Sequence, residues 1–381
     1  MQKKKFAVLA YVAVLVLLVG LFSGCAQKAG ETTIKLGGVG PVTGEAATFG
    51  VSTRQGDQLA VDEWNAKGGV LGKKIDLIFE DDKGDPTEAA TVYTKLITQD
   101  KVVGIVGTVM SKCTLAGAPI AQQNGIPMIS PTSTNPKVTE VGDYIFRACF
   151  IDPFQGTVGA NFAYNNLGVR KAGVIFDVGN DYTKGLAEYF RDQFTKLGGT
   201  VVAFEGHPTG ATDFKAQLTK MISGGAELIY CSDYYNDAGL VAKQARGLGF
   251  TGPLLGGDGW DSADLVKIGG TAVNGCYFTN HFSKDDPRPE VQSFVKKYQD
   301  KYGAPPDALA TLGYDATNIM LTAIQNAGST DGAKIRDAMR DIKFQGVSGL
   351  ITFDANRNPI KSAVIIGIEN GQQVYKATVN P

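Results

Sequence analysis

Histidine is scarce in this chain, with two among 381 residues. His207 and His281 stand apart, in no H-E-x-x-H run and no Cys/His cluster of the kind that holds zinc. An excess of charge of one sign is also missing: 37 Lys and Arg against 38 Asp and Glu leave a net charge of −1. That balance excludes a general nucleic-acid binder, which carries a basic excess, and a disordered acidic tail. Nucleotide loops are absent. Thr43 occupies the third glycine position of the G-x-G-x-x-G that would start at Gly38, and Gly69-Val70-Leu71-Gly72-Lys73-Lys74 lacks the spacing and the Ser/Thr of a P-loop. No G-x-S-x-G elbow occurs. Asp81-Asp82-Lys83-Gly84-Asp85 lacks EF-hand spacing and reads as a solvated strand-to-helix turn. These absences argue against an enzyme and imply neither cofactor nor metal.

The amino terminus reads as an address. Lys3, Lys4 and Lys5 precede an apolar run from Phe6 to Leu18, and no acid appears before Glu31. A charged start, an apolar middle and a small-residue exit describe an export signal, shorter than a comfortable membrane span. Leu21-Phe22-Ser23-Gly24-Cys25 resembles the bacterial lipobox, with Phe22 where Leu is usual. That resemblance implies a lipoprotein signal peptide over 1–24, lipid on Cys25, a tether over 25–32 and a protein on the outer side of the cytoplasmic membrane or in the periplasm. Such a compartment permits disulfides. Cys113, Cys149, Cys231 and Cys276 allow three pairings, and the apolar settings of Cys231 and Cys276 suit buried thiols.

What is abundant is glycine, 48 residues without a collagen period, as expected of many tight turns between strands and helices. Ile34-Lys35-Leu36 starts a strand expected to stop at Gly37-Gly38, and a helix is expected from Gly50 to Ala66. Asp85-Pro86-Thr87-Glu88 carries an N-cap, Pro at the first helical position and Glu at the third. Short apolar runs follow at Val102–Val106, Ile126–Ile129, Ala172–Phe176, Val201–Phe204 and Glu227–Tyr230. Between them, Leu186, Tyr189, Phe190, Phe194 and Leu197 share a helical face, as do Val291, Phe294, Val295 and Tyr298. The alternation predicts an α/β fold of parallel sheets covered on both faces. It also repeats: a strand, a loop, an aromatic (Phe49, then Tyr182), a helix and a Lys-Gly-Gly or Leu-Gly-Gly ending occur twice, predicting two similar lobes with the second starting near Asp152-Pro153.

Gly40-Pro41-Val42-Thr43-Gly44, Asn65-Ala66-Lys67-Gly68-Gly69, Ile129-Ser130-Pro131-Thr132-Ser133-Thr134-Asn135-Pro136 and Gln244-Ala245-Arg246, in this order, resemble the branched-chain amino-acid-binding proteins of ABC importers. The similarity runs from Ile34 to Ala377. It implies a type I periplasmic-binding fold of two Rossmann-like lobes joined by three hinge segments, with 33–150 plus 281–346 in one lobe and 151–280 plus 347–381 in the other. It further implies a small-molecule amino acid as ligand, an ABC permease as partner and a monomer, with no nucleic acid. A sensory role, or an amide, urea or aromatic acid as ligand, stays open within the same fold.

The resemblance also assigns site residues. Ser111, Thr132 and Thr134 match carboxylate contacts, Thr132 acting mainly through its backbone; hydroxyls and a helix start suit an anion. Asp258, where the family usually has Glu, would take the ammonium, with Gly257 and Gly259 allowing close approach. Phe49, Tyr182 and Tyr234 match aromatics that close over the ligand, and His281 and Phe282 are expected at the cleft edge. Tyr235 alternates away from Tyr234. Gly84 and Met110 stand where some members carry a disulfide.

Overall fold

A computed structural model describes residues 33–381; the signal segment, Cys25 and the tether lie outside the described residues. Strand β1 (Thr33–Gly40) pairs in parallel with β2 (Lys74–Asp81), from Thr33 opposite Lys74 to Gly40 opposite Asp81. The expected stop at Gly37-Gly38 is therefore corrected. A Cβ on Gly38 would run into the Phe79 ring of β2, so the bare backbone is what lets the pairing continue. Helix α1 (Ala47–Ala66) starts earlier than the expected Gly50. Beyond its end, Gly68 and Gly69 take φ of 105° and 85°, which glycine adopts without strain.

Helix α2 (Pro86–Lys95) is capped as its sequence suggests, the Asp85 carboxylate accepting the N–H groups of Thr87 (2.8 Å) and Glu88 (3.0 Å). Glu88 turns to Lys83 at 3.0 Å instead of reaching back. Asp82 departs from the solvated turn expected of its segment. It is fully buried, accepts from the Thr108 hydroxyl and from Gly84 N–H (2.9 Å), and burial holds its carboxyl above the usual range.

Strands β3 (Ile105–Val106), β4 (Met128–Ser130) and β5 (Ile145–Arg147) complete a five-stranded parallel sheet of order β2-β1-β3-β4-β5. Helices α3 (Ser111–Gln123) and α4 (Lys137–Glu140) join these strands. Alternate residues feed opposite cores: Val106 and Ile129 pack on one face, Ile105, Met128 and Ile145 on the other.

After helix α5 (Asp152–Asn161), the pattern recurs through β6 (Lys171–Asp177), α6 (Asp181–Lys196), β7 (Thr200–His207), α7 (Lys215–Ser223), β8 (Leu228–Cys231), α8 (Tyr235–Gly247), β9 (Leu254–Gly256), α9 (Ala263–Gly269) and β10 (Tyr277–Asn280). The order β7-β6-β8-β9-β10, again parallel, repeats that of the first sheet. The internal echo is thus a repeat of sheet topology. Leu186, Phe190 and Phe194 are buried along α6, while Tyr189 is 36% exposed at the edge of that face.

The chain then returns to the first sheet through α10 (Pro289–Tyr302), α11 (Ala308–Ala327) and α12 (Gly332–Arg340). A hairpin of β11 (Lys343–Gly346) and β12 (Gly349–Thr352) follows. Ile351 packs in the core with Leu36, Val106 and Ile129, so the hairpin spans the expected 346/347 boundary and stays with the first sheet. Strands β13 (Ala363–Glu369) and β14 (Gln372–Val379) add antiparallel beside β10. The chain therefore passes between the sheets three times: after β5, after β10 and after β12. The four cysteines among the described residues are buried and unbonded, in none of the three pairings.

Candidate binding cleft between the two sheets

In each sheet the strand order reverses beside its first strand, and parallel α/β sheets bind ligands at the carboxyl ends of such strands. The two switch points share one cavity. Phe49 enters it from the first turn of α1 and Tyr182 from the first turn of α6, the positions the repeat made equivalent. Ser111 begins α3 after β3, Thr132 and Thr134 lie in the loop after β4, Tyr234 directly precedes α8, and Asp258 follows β9. All seven line the cavity, with Gly259, expected beside Asp258, and with Val109, Met110 and Leu309, which sequence reasoning missed.

One end of the cavity suits an anion. Met110 holds the cap position of α3, so Ser111 is its first helical residue, and its Oγ accepts Asn135 N–H at 3.4 Å. The first N–H groups of a helix have no acceptor within it and favour negative charge. Thr132 Oγ1 donates to Val109 O at 2.9 Å, which leaves its backbone for a ligand. Thr134 Oγ1 is buried beside the Asp152 carboxyl without a well-formed hydrogen bond. An unmet hydroxyl costs ~1–3 kcal/mol, which a ligand oxygen would offset.

The opposite wall carries negative charge. Asp258 Oδ1 accepts from Gln155 Nε2 and from the Tyr182 hydroxyl, both at 2.8 Å, and Oδ2 accepts from His281 Nε2 at 3.0 Å. Burial holds the His281 imidazole below its ordinary range despite the Asp258 carboxylate, so it donates as a neutral ring. That ring stacks on Phe150 at 3.6 Å. No cation stands among the partners of Asp258. Gly257 and Gly259 are required here: a Cβ on Gly259 would lie 2.9 Å from Tyr234 Cδ1, and one on Gly257 would lie 2.7 Å from the Tyr182 hydroxyl.

The aromatic rings close the space. Tyr182 and Tyr234 stack at 5.2 Å, and Phe49 meets Tyr234 edge-on at 5.7 Å. Tyr235 leaves the cavity, as its alternation suggests, and its hydroxyl donates to Glu45 O at 2.6 Å.

Two expectations need correction. His281 is not on the cavity wall; it stands one layer back, behind Asp258. Phe282 is buried beside Phe294, ring centroids 6.5 Å apart, and does not edge the cavity. Gln155 was missed because its helix starts after a passage between the sheets, not after a strand end.

Beside this wall Asp152 is fully buried next to the Thr134 hydroxyl, with neither carboxylate oxygen in a well-formed hydrogen bond. Burial outweighs the Thr134 hydroxyl and the Arg147 charge and, with the Asp258 charge adding, pushes its pKa up to about 8. The unfolded chain releases this proton near pH ~4 while the folded chain keeps it, so stability falls as pH rises from about 4 to about 8. Asp152→Asn should therefore gain on the parent between those limits, read by urea unfolding at both pH values. A pH-independent difference would rule this titration out.

Two like α/β lobes facing each other across a shared cavity define a receptor that holds a solute between them. The profile of the periplasmic binding proteins matches residues 33–372, and the chain belongs to that family. Leu/Ile/Val-binding protein homolog 3 of Brucella melitensis is 32% identical over 330 residues, covering 86% of this chain and 88% of that protein. The leucine binding protein LivK of Thermotoga maritima superposes with TM-score 0.88 at 42% identity, over 91% of this chain and 99% of its own. The substrate-binding protein LivJ of Streptococcus pneumoniae, solved with isoleucine, superposes with TM-score 0.87 at 36% identity, over 92% and 100%.

Proposed function

We propose that this protein is an extracytoplasmic receptor that captures a free amino acid, branched-chain or small apolar, and delivers it to an ABC permease. The observation that carries the reading is the opposition across one cavity of Asp258, an anion held by no cation, and Thr134, a buried hydroxyl without a well-formed hydrogen bond. An ammonium meets the first and a carboxylate the second. The amino acid's side chain packs on Phe49, Leu309 and the two tyrosines that line the cavity. The relatives' leucine and isoleucine support the same reading. A neutral amide or urea would leave Asp258 unpaired, and an aromatic acid would add a carboxylate near it.

The lobes close over the ligand by bending the three passages between the sheets, and the permease reads the closed form. Binding changes no bond in the ligand. Lipid on Cys25 holds the monomeric receptor at the outer face of the membrane; Cys25→Ala should move it from the membrane fraction to the soluble one, and an unchanged distribution would remove the anchor. A sensory partner in place of a permease is the second reading, separated by whether a strain lacking the protein loses uptake of the amino acid.

The ligand class is tested by thermal shift of refolded, ligand-stripped protein against the twenty amino acids, urea, acetamide and benzoate. Ligand at 100 times Kd adds ~2.7 kcal/mol of stability. The expected response is confined to leucine, isoleucine, valine and close relatives; a response only to amides or benzoate would overturn the ammonium argument.

A further inference from the structure

A cation whose hydrogen-bond acceptors are all neutral lies behind the loop that carries Thr132 and Thr134. Arg147, the last residue of β5, is completely buried. Its guanidinium donates to the carbonyls of Ser133 (2.8 Å), Asn135 (2.8 Å) and Pro136 (3.1 Å) and to the Thr139 hydroxyl (3.2 Å). None of these acceptors is a carboxylate, and Nε has no partner. A buried charge met only by dipoles retains much of its desolvation cost. Asp152 and Asp354 are the carboxylates whose charges reach Arg147, and neither hydrogen-bonds the guanidinium.

The loop connects this charge to the cavity. Two of the carbonyls held by Arg147 belong to the neighbours of Thr134, and the Thr134 carbonyl accepts Asp152 N–H at 3.0 Å. Four consecutive carbonyls, from Ser133 to Pro136, are thus engaged, while the Thr134 hydroxyl remains on the cavity wall without a well-formed hydrogen bond. Across the cavity Asp258 is the complementary case, an anion held by Gln155, Tyr182 and a neutral His281. An anion held by neutral donors and a cation held by neutral acceptors thus stand on opposite sides of the site.

We propose that Arg147, without touching the ligand, is the counter-charge for the ligand's carboxylate, acting through the 132–136 loop it holds, and so determines specificity for zwitterions. This rests on the amino-acid reading given above. The zwitterion would neutralise both charges at once, its ammonium against Asp258 and its carboxylate over the loop.

Charge and clamp are separable by substitution, because Lys keeps the charge and loses the planar fork, whereas Gln keeps donors and loses the charge. The test is calorimetric titration of ligand-stripped wild type, Arg147→Lys and Arg147→Gln with L-leucine, each first shown to melt cooperatively. The expected result is Arg147→Lys within roughly threefold of wild type and Arg147→Gln weaker by roughly thirtyfold, the scale of a unit charge acting over several ångströms of protein. Should Arg147→Gln fail to fold, Arg147→Lys decides alone: near-parental affinity supports the counter-charge. Loss of tenfold or more in Arg147→Lys, or near-parental affinity in Arg147→Gln, overturns it and leaves Arg147 a loop clamp. Wild type that binds no leucine removes the amino-acid reading itself, a failure distinct from that of the variants.

Discussion

Asp258→Ala should weaken leucine binding by at least two orders of magnitude in a calorimetric titration while leaving the fold intact. Asp258 is held by neutral donors from three directions, so its charge is oriented but not neutralised. Its side chain is 11% exposed, so the ligand's ammonium would meet it largely out of water. Removing one member of a buried ion pair costs ~3–5 kcal/mol, and each ~1.4 kcal/mol is tenfold in affinity. Asp258→Asn should lose nearly as much, since the amide keeps the shape and not the charge. Unchanged affinity in either variant would remove Asp258 from ammonium recognition.

The second large effect is on stability. Asp315, fully buried on α11, accepts the N–H groups of Val347 and Ser348 (both 2.9 Å) and the Ser348 hydroxyl (2.6 Å). Lys361 Nζ donates to that same hydroxyl at 2.6 Å and to Ala148 O at 3.3 Å. Burial pulls the Lys361 pKa down to about 8, against the nearby Asp315 charge, which holds it up. The group ties the first passage between the sheets, at Ala148, to the third, at Lys361. Asp315→Ala strands two N–H groups and a buried ammonium, and should cost ~3–5 kcal/mol in urea unfolding. A loss under ~1 kcal/mol would mean that Lys361 finds water or another anion.

Strand ends were the legible part of this protein. Runs such as Val102–Val106 and Ala172–Phe176 carry the β-branched and apolar character of buried parallel strands, and strands lie within or across them. Ser111, Thr134, Tyr182 and Tyr234 each follow such a run closely, so order along the chain and family resemblance both pointed to them; Phe49 came from the repeat and the resemblance, and Asp258 from the resemblance alone. Leu309 did not stand out because α11 is apolar on nearly every face, and one leucine among many carries no local sign of a cavity. Arg147 left a signal, a cation inside the run Ile145-Phe146-Arg147-Ala148-Cys149-Phe150, but only the fold shows that its partners are carbonyls of the 133–136 loop. His281 failed in the other direction. Its position after β10 placed it near the cleft, yet depth behind Asp258 is set by packing against Phe150, a contact 131 residues away in sequence.

The central claim is that the cavity recognises both charges of an amino acid. Titration of ligand-stripped protein with leucine, 4-methylpentanoic acid and 3-methylbutylamine tests it most directly, since the second lacks only the ammonium and the third only the carboxylate. Leucine should bind, and each truncated analogue should be weaker by about a hundredfold or more, from the unpaired charge left in the site. An acid or amine that binds as tightly as leucine would contradict it.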